Sequence, residues 1–260
     1  MFFAKKINQY ILAIGHSHLF SLEMGYKQFS KEFSPSDKVK FISMQDSRYS
    51  GLALTYDQTN SEFIFDKTIT KEIQSNSNHI KFIISFFGGN SHNILGLVKN
   101  PLSFDFIYPE KLNLPLDLNA TFLPFSLVQD VMRQQGGFPE TVGSLKFLRK
   151  IYKGEIIQIE PPPPIYSNEY LLEFSGPFKE AFEQYGISPP FFRYKLWRVY
   201  SQLIKEECNK LNIEYLPCPM SMISEQGFLA NEGLERDPTH ANSQFGREVL
   251  KSAININASI

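Results

Sequence analysis

Three short segments carry residues able to do chemistry together. Asp237-Pro238-Thr239-His240 sets a carboxylate three positions before an imidazole, close enough to face one site from a single loop. Gly15-His16-Ser17-His18 ends the first apolar run of the chain, and Gly88-Gly89-Asn90 ends another. A serine hydroxyl is a weak nucleophile until a base takes its proton. An imidazole does so best when a carboxylate fixes its tautomer. The oxyanion of a tetrahedral intermediate then needs aimed donors, each worth about 3–4 kcal/mol. The Ser17 amide, the amide of a glycine after the second strand and the Asn90 carboxamide are the candidates. Ser17 as nucleophile, His240 as base and Asp237 as its orienter complete a serine hydrolase.

Each residue alone has a plainer explanation. Ser17 could cap the helix that follows, Asn90 could serve a turn, and Asp237 could open an Asp-Pro turn. Their joint occurrence, in order and at predicted strand ends, favours the chemical reading.

The elements that must position these residues alternate strand and helix. Apolar runs at Tyr10–Ile14, Val39–Met44, Ile80–Phe87, Glu155–Ile159 and Ile213–Leu216 are predicted strands of a sheet buried on both faces. Helices are predicted over His18–Phe33, Asp66–Gln74, Leu127–Arg133, Thr141–Tyr152, Arg193–Leu211 and Asn242–Ala253, the last with Asn242 as N-cap. Lys195, Arg198, Lys205 and Lys210 on the longest helix read as a solvated face. The pattern predicts an α/β fold, a three-layer α/β/α sandwich around a mostly parallel sheet of about five strands, in one domain over residues 1–260. Ligands in such sheets bind beyond the carboxyl ends of the strands. Residues 94–125 lose periodicity and read as an irregular insertion folded over the site, either a lid or a packed cover.

At this point the chain resembles the SGNH hydrolases, or GDSL-type esterases and lipases. Their four blocks are matched in order by Ser17 in Gly15-His16-Ser17-His18, Gly51 in Ser50-Gly51-Leu52, Asn90 in Gly88-Gly89-Asn90, and Asp237-Pro238-Thr239-His240. Ile159-Glu160-Pro161-Pro162 also looks like a segment that many members carry. The resemblance implies the flavodoxin-like SGNH fold, a Ser17–His240–Asp237 triad, and an oxyanion hole of Ser17, Gly51 and Asn90. It departs at two positions: His16 stands where the family has Asp, and Ser91 where an Asp often follows the Asn.

Four of the five histidines fall in predicted site loops, a placement that a metal centre would also produce. Gly-His-x-His and Asn-x-His fragments resemble metallophosphoesterase motifs, but in inverted order. His16, His18 and His92 are therefore expected to line the substrate pocket or brace its turns, with no metal and no cofactor.

Composition narrows the partners. The 260 residues are 42% hydrophobic and 20% charged with formal net charge -1, which gives no reason to expect nucleic acid or a membrane as partner. The 24 Phe and 12 Tyr read as core. Cys208 and Cys218 are too few for a disulfide framework and are expected as reduced thiols. No export signal or membrane-length apolar run is read, and cytoplasmic is the expected location. The expected activity is hydrolysis of an ester on a carbohydrate or small metabolite. The rivals are an acyltransferase of the same fold, a metal-dependent phosphoesterase and an inactive ligand-binding relative.

Overall fold

A computed structural model describes residues 9–46, 53–135 and 137–259. Five short strands with apolar side chains on both faces form one parallel sheet. They are β1 (Tyr10–Gly15), β2 (Val39–Ser43), β5 (Ile80–Phe86), β8 (Ile156–Ile159) and β9 (Glu214–Leu216), in the spatial order β2-β1-β5-β8-β9. Register pairs Gly15 with Ser43 on one side and with Phe86 on the other. The ends of β1 and β5 are therefore level, and the loops that follow them start side by side.

Period-two alternation divides the core. Leu12, Ile14 and Ile83 face a layer of α2 (Lys67–Ser75), α4 (Phe125–Gln134), α5 (Phe138–Ile151) and α8 (Pro190–Lys210). Ile11, Ala13, Phe82 and Ile84 face α1 (Leu19–Gln28) and α9 (Ser243–Ser259). This is the expected three-layer sandwich. α1 and α9 cross so closely that a Cβ on Gly25 would lie 2.5 Å from the Arg247 amide nitrogen. A Cβ on Gly246 would collide with the Ser21 carbonyl, so this crossing admits only hydrogen at both positions.

Several elements are not in the sequence reading. The hairpin β3 (Leu54–Asp57) and β4 (Glu62–Phe65) packs on α5. Between β8 and α8 lie α6 (Asn168–Glu173) and α7 (Lys179–Tyr185), with Leu171 and Phe182 in a satellite core beside Leu97 and Ile165. The irregular stretch 94–125 begins inside α3 (Ser91–Gly96) and holds two short paired segments, β6 (Phe104–Asp105) and β7 (Thr121–Phe122).

The charges on α8 correct the sequence expectation. Lys205 and Lys210 are exposed, but Lys195 is fully buried in an ion pair with Asp105 and also donates to the Phe106 carbonyl at 3.1 Å. Arg198 pairs with the buried Glu160 at 3.3 Å. Arg193 is buried too, its guanidinium donating to the carbonyls of Ile165 and Tyr166 at 2.8 and 2.9 Å. The reason is that remote segments bring acceptors to this helix: Asp105 and the Phe106 carbonyl to Lys195, Glu160 to Arg198, and the carbonyls of Ile165 and Tyr166 to Arg193. Cys208 and Cys218 are buried free thiols. Among the described residues no helix is long and apolar enough to cross a membrane.

Candidate active site

β1 ends at Gly15, and the chain turns at once into α1, with the Leu19 amide donating to the His16 carbonyl at 2.9 Å. Ser17 thus stands at the carboxyl edge of the sheet, where α1 begins. The second component comes from the other end of the sequence. An isolated antiparallel bridge between Leu234 and Ala241 closes the base of a short loop carrying Asp237 and His240. Asn242 ties that loop to the last helix. Its amide donates to the carbonyls of Glu232 and Leu234 at 2.8 and 2.9 Å, while its Oδ1 accepts from the amides of Gln244 and Phe245 at the start of α9.

Within the loop one carboxylate oxygen organises everything. Asp237 Oδ1 accepts from the amides of Thr239 and His240 at 2.7 and 2.8 Å, from the Thr239 hydroxyl at 2.9 Å, and from His240 Nδ1 at 2.8 Å. A carboxylate only accepts, so Nδ1 carries the ring proton. Nε2 is then the lone-pair nitrogen, and it lies 2.8 Å from Ser17 Oγ. Burial would raise the Asp237 carboxyl, but hydrogen bonds from His240 and Thr239 outweigh that and hold it well below the usual carboxylate range.

An open cleft of about 430 Å³ leads to this serine, walled by Phe20, Glu23, Ser43, Gln45 and Glu235 beside His16 and the relay itself. Sequence reasoning singled out none of those five. Phe20 and Glu23 lie on α1, Ser43 and Gln45 at and beyond the end of β2, and Glu235 in the C-terminal loop, so only the folded chain assembles them. Thr239 was missed as well, although a hydroxyl inside Asp-x-x-His is the kind of residue that braces such a turn.

The other expected site residues fare differently. His16 lines the cleft, half-buried and edge-on to Phe87 with ring centroids 5.8 Å apart, and burial lowers its pKa. His18 is buried and lies against the His240 ring, centroids 4.5 Å apart. Gly89 presses on it from the β5 side: a Cβ there would sit 2.6 Å from His18 Cγ. Asn90 follows directly, at the start of α3, its Oδ1 accepting from Asn93 Nδ2 at 2.6 Å, which leaves its own amide hydrogens as donors. His92 is a correction. It is 2% exposed, does not line the cleft, and sits near the Tyr200 ring with neither ring nitrogen bonded. α3 turns its side chain inward under α8. Gly51 lies outside the described residues. The walls of the cleft include none of residues 94–125, which pack on α8 instead. No group of three His, Cys, Asp or Glu among the described residues is arranged to hold a metal.

No protein-family model and no curated protein matches the sequence. Solved structures do. The periplasmic domain of a lipopolysaccharide acetyltransferase from Salmonella ser. Paratyphi A is similar at TM-score 0.51 and 13% identity, over 95% of this chain and 83% of that one. A GDSL-like lipase from Bacteroides thetaiotaomicron is similar at 0.47 and 10%, over 97% and 89%. A carbohydrate acetylesterase from Sinorhizobium meliloti is similar at 0.43 and 12%, over 96% and 99%. The likeness to the Salmonella domain is one of fold, the three-layer α/β/α sandwich around a parallel sheet.

Proposed function

We propose that this protein is a serine-dependent carboxylic ester hydrolase. The observation that carries the reading is the relay itself: Ser17 Oγ to His240 Nε2 at 2.8 Å and His240 Nδ1 to Asp237 Oδ1 at 2.8 Å. Both distances lie within reach for proton transfer from nucleophile to base.

In the proposed reaction Ser17 Oγ attacks the acyl carbon while its proton passes to His240 Nε2. The imidazolium so formed faces the ionised Asp237, which holds its ring and offsets its charge. The Ser17 amide, the Gly51 amide and the Asn90 carboxamide are proposed to bind the oxyanion. Collapse of the intermediate expels the alcohol, which takes the proton from His240 as it leaves. Water then attacks the acyl-serine with His240 again as base, releasing the acid and restoring Ser17. No step calls for a metal or cofactor.

The proposed substrate is an acyl group carried on a carbohydrate or small polar metabolite. Support comes from the cleft, which is open and walled by Ser43, Gln45, Glu23 and Glu235 with one exposed aromatic, Phe20. Such side chains suit a hydroxylated leaving group better than a long acyl chain.

A fluorophosphonate probe tests the nucleophile. The wild-type protein is expected to be labelled covalently, and Ser17→Ala and His240→Ala to remain unlabelled. Labelling that persists in Ser17→Ala removes this assignment. Product analysis with and without an alcohol acceptor separates hydrolysis from acyl transfer.

A further inference from the structure

His18 stands next to the proposed nucleophile yet does not use its ring as a site residue ordinarily would. It is 3% exposed, and its Nε2 is buried without a hydrogen-bond partner. An unpaired buried nitrogen costs about 1–3 kcal/mol, so an apolar residue would make a more stable core here. What the ring does contact is the base. Its plane is inclined 35° to that of His240 with centroids 4.5 Å apart, a close, tilted ring contact. Its other neighbours are the Phe86 ring, centroids 5.6 Å away, and the backbone of Gly89. Hydrogen at Gly89 is what lets the His18 ring stand where it does.

We propose that His18 is a positioning residue for His240, a flat uncharged face that fixes the plane of the base while its two nitrogens exchange protons with Ser17 and face Asp237. The inference rests on the hydrolase reading of the site. The His240 ring can turn about its Cβ–Cγ bond, and of the two hydrogen bonds that restrain it the one to Ser17 is given up as the nucleophile attacks. His18 opposes that rotation from one face. A neighbour carrying positive charge would repel the imidazolium formed during catalysis, whereas an aromatic face attracts a cation. The titratable groups around His18 are His240 and Asp237 of the C-terminal loop, His92 of α3 and His16 of its own turn. Among them burial is the largest influence, and it holds the His18 ring uncharged well below the ordinary histidine range. In this proposal the positioning therefore falls to the flat face of the ring and none of it to Nε2, which has no partner.

That contrast supplies the test. His18→Phe keeps a flat ring, while His18→Leu fills the space without one; neither buries an unpaired nitrogen, and thermal melting checks that both fold. With a small activated acetate ester, His18→Phe is expected to keep kcat within about threefold of wild type. His18→Leu is expected to lose about 10- to 100-fold in kcat, the cost of a reacting group displaced by about 1 Å, with KM little changed. Full kcat in His18→Leu overturns the proposal, because space filling alone would then suffice. A His18→Phe variant as slow as His18→Leu overturns it too, because a nitrogen would then be at work. Wild-type protein that neither turns over the ester nor takes a fluorophosphonate label sinks the hydrolase reading, and this inference with it.

Discussion

Burial tunes His16 and His92 and is the largest influence on His18, and His92 shows the energetic consequence. It is fully enclosed, both its nitrogens are unbonded, and desolvation pushes its pKa down to about 3 from 6.5. Between those values the unfolded chain takes up a proton that the native state refuses. Its contribution is therefore complete above about pH 6.5 and falls by about 1.4 kcal/mol per unit as the pH drops toward 3. Urea unfolding at pH 7.5 and pH 5 tests this. The wild type is expected to lose about 2 kcal/mol more over that interval than His92→Phe does. Comparing the two pH values cancels any packing cost of the substitution itself. Equal losses in both proteins would show that His92 is charged or solvated in the native state. Asp237 behaves differently. Its depressed carboxyl stays ionised down to strongly acid pH, so its stabilising bonds are kept well below the range where His92 begins to tell.

At the scale of elements, buried charge decides how the irregular stretch is held. Asp105 accepts from the amides of Phe106 and Asp117 at 2.8 and 2.9 Å, and it pairs with the fully buried Lys195. Asp105→Asn leaves that ammonium without its counter-charge, and breaking a buried pair from one side costs about 3–5 kcal/mol. A matching drop in unfolding free energy is expected, while fluorophosphonate labelling of the folded protein stays at the wild-type rate, since this pair belongs to the far layer. Slower labelling would tie residues 94–125 to the cleft after all. The same pair marks where sequence legibility ended. The five central strands could be read because continuous apolar runs such as Ile80–Phe86 have one stable use, a sheet covered on both faces. Ser17 and the Asp237–His240 pair could be read because their chemistry depends on spacing within a few residues. Lys195 could not, because its partner lies 90 positions away in a stretch without periodicity. α6 and α7 escaped because helices of six and seven residues broken by Gly176-Pro177 leave no stripe to detect. The inward turn of His92 depends on the packing of α3 against α8, which no local pattern reports.

For the whole molecule, the question is how residues 223 positions apart meet at 2.8 Å. Ser17 lies just before α1 and His240 just before α9, so the relay inherits its length from the way these two helices cross. They cross at Gly25 and Gly246, and Phe245, Val249, Leu250 and Ala253 are buried behind that contact. Adding one methyl at Gly246 would drive it into the Ser21 carbonyl, a backbone atom that can yield only if the helices part. Gly246→Ala is therefore expected to cost about 1–3 kcal/mol of stability, as overpacking does. It is also expected to slow fluorophosphonate labelling by up to about 100-fold, because a separation near 1 Å at the crossing is passed to Ser17 and His240. Asp105→Asn is the control, since it lowers stability as much or more without touching this crossing. Both variants should be compared at a temperature where circular dichroism finds them folded. If Gly246→Ala labels as fast as Asp105→Asn there, the two helices do not set the distance between nucleophile and base, and the Asn242-braced loop must hold His240 in place alone.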